Sequence, residues 1–504
     1  MGKVIMVQGT ASSAGKSILV TALCRIFRQD GYRVAPYKAQ NMALNSFVTV
    51  DGGEVGRSQA VQAEAAGVDL TVDMNPILLK PEGGACCQVV VRGRPWATLD
   101  AGRYYDFKTE LWPIALESLN RLRERCDIVV VEGAGSPAEV NLHDNDIVNM
   151  RVALAAEAPV LLVADIDRGG VFASLVGTLA LLEPEERATV KGLVINKFRG
   201  DRALLGDGLA FLERRTGVPV AGVIPFVRDL RVADEDAVAL DGGWRGRQAP
   251  LDIAVLHLPR IANFDDFDPL QAEPAVSLRL VDKAKELGRP DLVILPGTKA
   301  TVADLAFLRQ TGLAEALVTL AHAGVPVIGI CGGYQMLGRT LQDPRHVESA
   351  AAETPGLGLL PVETTFAAGK STCRVRGRVL GGPGLLSLAE GEEVDGYEIH
   401  MGQTTGAPRP TVRLHERSGR PVDSLDGAVS ADGLVCGTYL HGLFDRQGFR
   451  RRLLEWLAQR KGVALAELAA GLDKDREYNR LAAVVRENLD MRLVYGLVGL
   501  ESRR

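Results

Sequence analysis

Short apolar runs alternate with segments of helical spacing through the first half of the chain. The runs predict buried strands at residues 4–7, 33–37, 127–131, 160–164, 190–195 and 220–224. Apolar residues also recur at helical spacing after Lys16 and over residues 57–66, which predicts helices there. Strands that alternate with helices form a mostly parallel sheet covered on both faces. We therefore expect an α/β fold that begins with a doubly wound, mostly parallel sheet.

The same alternation restarts in the second half, with predicted strands at 252–258, 291–295 and 325–330. Residues 234–250 carry glycines and charges without periodicity, so we interpret them as a linker. From residue 447 onward, apolar positions among many charges predict a helical extension that caps one domain. The expected division is a first domain at 1–233, the linker 234–250, a second α/β domain at 251–446 and the extension 447–504.

The first strand runs into a loop of small residues that ends in Gly-Lys-Ser and opens an amphipathic helix. Backbone N–H groups and a helix N-terminus in this arrangement bind phosphate. Lys16 would reach the β- and γ-phosphates of ATP, and the Ser17 hydroxyl would face Mg²⁺. The two glycines lie one residue further apart than in the ordinary Walker A pattern, with Thr10 where its first glycine would fall. We predict an ATP site built by Gly9, Thr10, Gly15, Lys16 and Ser17.

Polar residues follow several predicted strands, at the edge where open α/β sheets bind ligands. Glu132 ends a buried strand before two glycines and is the first candidate for the metal, together with Ser17; Asp51 and Glu54 are further metal candidates, or charges near a helix N-terminus. The amide of Asn196 is a candidate for pairing with adenine. Six residues are candidates for contacting the substrate: Lys38, Gln40, Asn41, Asn45, Asp165 and Arg168. The alternative interpretation is that they belong to an ordinary surface loop or to a helix cap.

A second reactive centre is predicted at Cys331, which stands between a strand and a helix with glycines around it, as in a nucleophile elbow. The following helix N-terminus stabilises a thiolate. The N–H of Gly332 is the expected oxyanion donor, helped by the loop of Gly297 and Thr298. A cysteine nucleophile needs a base, for which His441 is the first candidate and His400 the rival.

An ATP site and a cysteine nucleophile in one chain fit ATP-dependent amidation with ammonia from glutamine. The 504 residues carry a net charge of −5, which gives no reason to expect nucleic acid or an anionic membrane as partner. Seven scattered cysteines are typical of reduced thiols. With no signal pattern and no apolar run that spans a bilayer, we expect a cytoplasmic enzyme without a membrane anchor. The oligomeric state stays open.

The motifs also resemble known families. The loop at 9–17 and the Glu-Gly-Ala-Gly turn at Glu132 resemble the dethiobiotin-synthetase-like P-loop family, and the second domain resembles class I glutamine amidotransferases. The combination is similar to the cobyric acid synthases in four segments, 37–42, 131–137, 164–170 and 397–402. This resemblance implies ATP, Mg²⁺, L-glutamine and a corrinoid, adenosylcobyrinic acid a,c-diamide, amidated at carboxylates b, d, e and g. It also implies Cys331 as nucleophile, His441 as its base and Glu132 at the metal.

One position departs from the amidotransferase pattern. Most class I enzymes place a glutamate two residues after the histidine, where this chain has Leu443. We therefore expect slow thioester formation, with ammonia able to replace glutamine. The alternatives are a cobyrinic acid a,c-diamide synthase, expected to be acidic at positions 41 and 45, and a CTP synthase, expected to keep the glutamate. A partner-regulating P-loop ATPase would carry a second lysine between Gly9 and Gly15 and no amidotransferase domain.

Overall fold

A computed structural model describes residues 1–83, 86–232, 244, 246–465 and 473–501. The strands of the first half are β1 (Lys3–Gly9), β2 (Val34–Tyr37), β3 (Gln40–Met42), β4 (Ser46–Val48), β5 (Glu54–Gly56), β6 (Ile77–Gly83), β7 (Cys86–Val91), β8 (Arg94–Asp100), β9 (Ile128–Glu132), β10 (Val160–Asp165), β11 (Val190–Phe198) and β12 (Val220–Pro225). Its helices are α1 (Lys16–Gln29), α2 (Arg57–Ala66), α3 (Ala101–Arg125), α4 (Met150–Ala156), α5 (Val171–Leu181), α6 (Pro184–Thr189) and α7 (Gly206–Thr216).

Six of these strands form the central sheet in the order β12-β11-β10-β1-β9-β2, and every pairing between neighbours is parallel. Alternate side chains of a strand point to opposite faces, so Val4 and Met6 join one core while Ile5 and Val7 join the other. This confirms the doubly wound parallel sheet expected from apolar runs. Because parallel strands end at one edge, that edge carries Gly9, Glu132 and Asp165 together.

Two smaller sheets of the first half were not expected from the sequence. One has the order β3-β6-β7-β8, and the other is the antiparallel pair of β4 and β5. The turn between β4 and β5 lies against the second half, since a Cβ on Gly52 would meet the backbone oxygen of Thr372 at 2.8 Å.

The second half adds β13 (Leu251–Leu256), β14 (Val276–Val281), β15 (Leu292–Leu295), β16 (Val327–Ile330), β17 (Thr340–Gln342), β18 (Glu353–Pro355), β19 (Glu363–Val379), β20 (Glu393–Thr405), β21 (Val412–Arg417), β22 (Arg420–Asp426), β23 (Ala428–Val429) and β24 (Val435–Thr438). Its helices are α8 (Asp268–Gln271), α9 (Ala284–Leu287), α10 (Thr301–Gln310), α11 (Leu313–His322), α12 (Gly332–Leu337) and α13 (Gln447–Lys461).

The main sheet of this half has the order β14-β13-β15-β16-β24-β23 and is parallel except for its last pair. A second sheet has the order β18-β17-β19-β21-β22, with β20 paired to β19. The elbow at Cys331 follows β16, in the middle of the main sheet.

The C-terminal extension divides between the two halves. Helix α13 buries Phe449 and Leu453 in the second core, whereas α14 (Lys474–Asn488) and α15 (Met491–Val498) bury Leu481 and Tyr495 against α1 in the first. The expectation that the extension caps one domain was therefore wrong. The apolar side of α13 packs in one core and those of α14 and α15 pack in the other, a division that helical periodicity alone does not reveal.

Most of the predicted linker 234–250 lies outside the described residues; the part described is 244 and 246–250. Trp244 packs edge-on against Phe267 in the second half, with 6.1 Å between ring centroids. Among the described helices, none combines the length and the apolarity needed to cross a membrane.

Leu481→Ala tests the docking of the extension onto the first half. Leu481 is fully buried in the core that α14 shares with α1, so its truncation leaves a cavity that costs about 2–5 kcal/mol of unfolding free energy. Urea unfolding followed by circular dichroism measures the change. Leu204→Ala, at a side chain that is 85% exposed, is the matched control and leaves the midpoint unchanged. Equal midpoints for both variants would contradict this packing.

Candidate functional sites

The phosphate loop between β1 and α1 is held by side chains that donate to backbone oxygens. Gly15 has a φ of 95°, a left-handed conformation that favours glycine. A Cβ there would lie 2.0 Å from Nδ2 of Asn196, whose amide donates to the Ala14 oxygen at 3.0 Å. Lys16 Nζ donates to the oxygens of Ala11 and Gly135, each at 3.0 Å. Contacts within the protein thus support the shape of the loop.

Glu132 lies at the centre of the first site. It is fully buried, and its Oε1 accepts from Ser17 Oγ at 2.8 Å and from Lys38 Nζ at 3.0 Å. Its other oxygen accepts from Nε2 of Gln62 on α2. The structure therefore brings together Ser17, Glu132 and Lys38, which the sequence analysis had named for metal and substrate.

These residues fit a magnesium ion. Mg²⁺ in nucleotide sites takes one or two carboxylates, substrate phosphates and several waters, and Ser17 and Glu132 supply the protein oxygens. In the part of the chain described, no cluster of three His, Cys, Asp or Glu side chains is arranged for a metal. The buried Oε1 atoms of Gln8 and Gln62 accept no hydrogen bond from the described residues and are acceptors suited to metal-bound water.

Asn196 and Asp165 support the loop from the β10–β11 side. Lys197 donates to the Ser13 oxygen at 2.7 Å and pairs with Asp165 at 2.9 Å. The amide nitrogen of Asn196 is bound to the loop and helps to hold it. Its pairing with adenine stays a prediction. Arg168 is exposed beyond this edge.

Five other predicted residues lie elsewhere. Gln40 accepts from the Tyr104 hydroxyl, and Asn41 donates to Gln59 Oε1 at 3.1 Å, inside the first half. Glu54 is buried between Lys80 and Lys370, which hold the pKa of its carboxyl well below the usual value although burial alone would raise it.

Asp51 accepts from the Thr49 hydroxyl in the exposed turn after β4. Asn45 is also at the boundary between the halves, where its Oδ1 accepts from the Phe264 N–H at 3.3 Å. These contacts favour structural roles for Asp51, Glu54 and Asn45. Their roles in binding metal and substrate stay predictions.

The second site is built around the turn from β16 to α12. Cys331 has a φ of 51°, a strained conformation for a residue with a side chain, and its Sγ lies 3.4 Å from the Ile399 oxygen. Gly332 opens α12, and a Cβ on it would meet Thr298 Cγ2 at 2.7 Å. A Cβ on Gly297 would meet His441 Cε1 at 2.8 Å. Cys331, Gly332, Gly297 and Thr298 are thus adjacent, as predicted.

His441 is the histidine that faces Cys331, and it is oriented by a carboxylate that the sequence analysis missed. Its Nδ1 lies 2.7 Å from Oδ2 of Asp266, in the short helical turn Phe264–Phe267. Burial would lower the pKa of His441, but Asp266 and then Cys331 raise it to about 10. The rival His400 contacts the Gly402 oxygen at 2.7 Å and stacks on Tyr439. Cys331, His441 and Asp266 therefore lie in the order of a nucleophile, a base and an orienting carboxylate.

Charged side chains from both halves line the cavity at Cys331. They include Glu348, Lys299 and Lys370, and Lys80 from the first half. Burial raises the pKa of Glu348 to about 7 against the opposing effect of Lys299, and burial lowers the pKa of Lys370 to about 8. Groups of both signs suit a zwitterionic amino acid.

Asp266→Asn tests the electrostatics of the triad. Without that carboxylate, the lowering effect of burial on the pKa of His441 is opposed mainly by Cys331, so the pKa falls well below about 10. Because the pKa of His441 is higher in the folded state than its unfolded-state value near 6.5, the charged imidazolium stabilises the fold. This stabilisation is fully present below about pH 6.5 and is lost as the pH rises through about 10. NMR titration of ¹⁵N-histidine protein, assigned with His441→Gln, measures the shift.

Asp343→Asn is the matched control, because this buried aspartate caps backbone N–H groups at 347–349. The Asp343→Asn variant should leave the pKa of His441 unchanged. A wild-type titration near the ordinary histidine value, or one unchanged in Asp266→Asn, would contradict the assignment.

Comparisons with known proteins agree with the two sites. Residues 252–449 match the CobB/CobQ-like glutamine amidotransferase domain, and residues 5–238 match the CobQ/CobB/MinD/ParA nucleotide binding domain. The chain is 54% identical over 501 residues to the cobyric acid synthase of Dehalococcoides mccartyi (strain CBDB1), covering 99% of both chains. It is 56% identical over 514 residues to that of Pelotomaculum thermopropionicum, covering 100% of this chain and 98% of the relative. It is 55% identical over 517 residues to that of Sorangium cellulosum, covering 99% of both. With two reactive centres and this identity over nearly its whole length, the chain belongs to the cobyric acid synthase family.

Proposed function

We propose that this glutamine-dependent amidoligase converts adenosylcobyrinic acid a,c-diamide to adenosylcobyric acid by amidating carboxylates b, d, e and g. The observation that carries the proposal is the presence, in one chain, of a phosphate loop beside Glu132 and a Cys331–His441–Asp266 triad. The names of the relatives point to the corrinoid. We place the reaction in the cytoplasm, where ATP is available and the chain's free thiols stay reduced.

The first site would activate the carboxylate. A substrate carboxylate oxygen attacks the γ-phosphorus of ATP, ADP leaves, and the resulting acyl phosphate accepts ammonia with loss of phosphate and a proton. Lys16 and Lys38 place positive charge beside the phosphate loop, and Glu132 holds Ser17 and Lys38 in position. Mg²⁺, held by Ser17 and Glu132, would neutralise charge that develops on the phosphates.

The second site would release the ammonia. The Cys331 thiolate attacks the glutamine side-chain carbonyl, and the His441 imidazolium gives its proton to the departing nitrogen. Water then attacks the thioester with His441 as base, releasing glutamate and restoring the thiol. Glu348 is suited to the α-ammonium of glutamine, and the lysines around it to the α-carboxylate. With Asp266 orienting His441, we no longer expect thioester formation to be slow.

Mass spectrometry tests this function directly. Incubation of the protein with ATP, Mg²⁺, glutamine and the a,c-diamide should give four successive mass decreases, each the replacement of a hydroxyl by an amino group. An unchanged corrinoid, or a mass decrease without ATP, would contradict the proposal.

Cys331→Ser separates the two sites. It should abolish amidation with glutamine and retain amidation with ammonium salts, because the acyl phosphate forms in the other half. Cys436→Ala is the matched control, at a buried cysteine of β24, and should keep both activities. Loss of the ammonia-dependent reaction in a folded Cys331→Ser protein would be evidence against this division.

Glu132→Gln should reduce the glutamine-dependent and ammonia-dependent reactions together, by about 100-fold or more, because both need the activated carboxylate. Glu185→Gln is the matched control: Glu185 is exposed on α6, which precedes β11 and so lies at the opposite edge of the sheet. Amidation rates in both variants give the comparison. Full amidation by Glu132→Gln would exclude the proposed role.

A further inference from the structure

The residues around His441 are themselves contacted by one segment of the ATP-binding half. That segment runs from Asn45 through β4 and β5 to Arg57, the first residue of α2. We propose that it forms the positioning shell of the glutaminase histidine, with Arg57 as its charged member. The inference rests on the proposed function, since it assigns a role in glutamine hydrolysis.

The first contact orients an amide beside the imidazole. Asn263 Nδ2 lies 3.3 Å from His441 Nε2. Its Oδ1 accepts from the Ser46 backbone N–H at 2.9 Å, which fixes which end of the amide faces His441 because an N–H donates only to the oxygen. The next residue, Phe264, donates its N–H to Asn45. The ATP-binding half therefore holds both residues at the start of the turn that carries Asp266.

The second contact is an ion pair at the middle of the same turn. Arg57 Nε lies 3.0 Å from Asp265 Oδ2, and both side chains are buried, at 7% and 6% exposure. Asp265 is the neighbour of Asp266, and burial together with Asp266 raises its pKa, against the lowering effects of Arg57 and His441. Other charged groups facing Arg57 are Glu64 and Asp445. Two adjacent buried carboxylates beside His441 need a nearby cation, which the other half supplies.

The third contact is made by aromatic rings. Tyr397 stacks on His441 with 5.2 Å between centroids, and the two residues exchange backbone hydrogen bonds at 2.9 and 3.1 Å. Phe47 of β4 packs edge-on against the ring of Tyr397, with 4.8 Å between ring centroids. The Arg57 guanidinium in turn lies 4.8 Å from the centroid of the Phe47 ring. The segment thus reaches His441 through Asn263, the 264–266 turn and Tyr397.

A shell of this kind affects the rate of hydrolysis more than the binding of glutamine. His441 acts on the leaving nitrogen, and misplacement of a catalytic group by about 1 Å costs on the order of 100-fold in rate. Of the cavity groups suited to the glutamine α-substituents, Glu348 and Lys299 lie outside this set of contacts. Lys80 and Lys370 meet the segment at Glu54, which a substitution of Arg57 leaves in place. Disturbing Arg57 should therefore lower kcat and leave KM nearly unchanged.

The test is steady-state glutamate release by the full chain, with ATP, Mg²⁺ and corrinoid present. Arg57→Gln should lower kcat for glutamine by about 100-fold with little change in KM, and Arg57→Lys should restore part of it. Arg486→Gln is the matched control: it removes an ion pair to the buried carboxylate of Asp30 at 2.9 Å, at the contact of α14 with the end of α1, away from this segment. It should leave kcat unchanged.

Arg57→Gln leaves Asp265 buried without its cation, so a double variant guards against simple misfolding. The double variant Arg57→Gln/Asp265→Asn removes both charges. Its kcat should be higher than the value expected from adding the losses of the two single variants, as is typical of directly coupled residues. Ammonia-dependent amidation by each variant reports that the first half is folded and active.

The outcomes separate this inference from the function. A wild-type protein that releases no glutamate would defeat the proposed function itself. Wild-type hydrolysis that is matched by Arg57→Gln, or lowered equally by Arg57→Gln and Arg486→Gln, would overturn the positioning role alone. A rise in KM with unchanged kcat would also overturn it, because that pattern belongs to substrate binding.

Discussion

The buried boundary between the two halves of the chain is the constraint on which both sites depend. Glu54 is held there between Lys80 and Lys370, and Arg57 is paired with Asp265. Separating such pairs would leave buried charges uncompensated, which is strongly unfavourable. The boundary therefore fixes how the halves are placed, and with it the wall of the glutamine cavity that Lys80 supplies. Neither half alone contains the complete second site.

Helix α2 joins this boundary to the nucleotide site. Arg57 begins the helix beside the triad, and Gln62, about 7.5 Å further along the axis, donates to Glu132. Glu132 in turn contacts Ser17 of the phosphate loop. One and a half turns of a single helix thus connect the histidine that would release ammonia with the carboxylate that would help to activate its acceptor. This connection through one helix is a physical reason for keeping both activities in one chain.

The sequence predicted the parts of the molecule that local physics determines. Strands such as β9 are apolar on both faces, so a short apolar run in the sequence reveals them. Cys331 and the phosphate loop need glycines close by in the sequence, so a short motif reveals each of them. Asp266 was missed because it is 175 residues from His441 and stands in no motif; a triad is defined by geometry. Asn45 and Glu54 lie at the buried boundary, where a polar residue has the same sequence pattern as one at a ligand, so the sequence alone does not distinguish the two roles. The short antiparallel strands were missed because their polar edges resemble loops.

The central claim is that one half activates an acid while the other supplies its nitrogen. Counting ADP, glutamate and newly formed amide in the same reaction mixture tests it most directly. The account predicts one of each for every carboxylate amidated, at every stage of the reaction. Amide formed in excess of ADP, or amide formed from glutamine without an equal amount of glutamate, would contradict it.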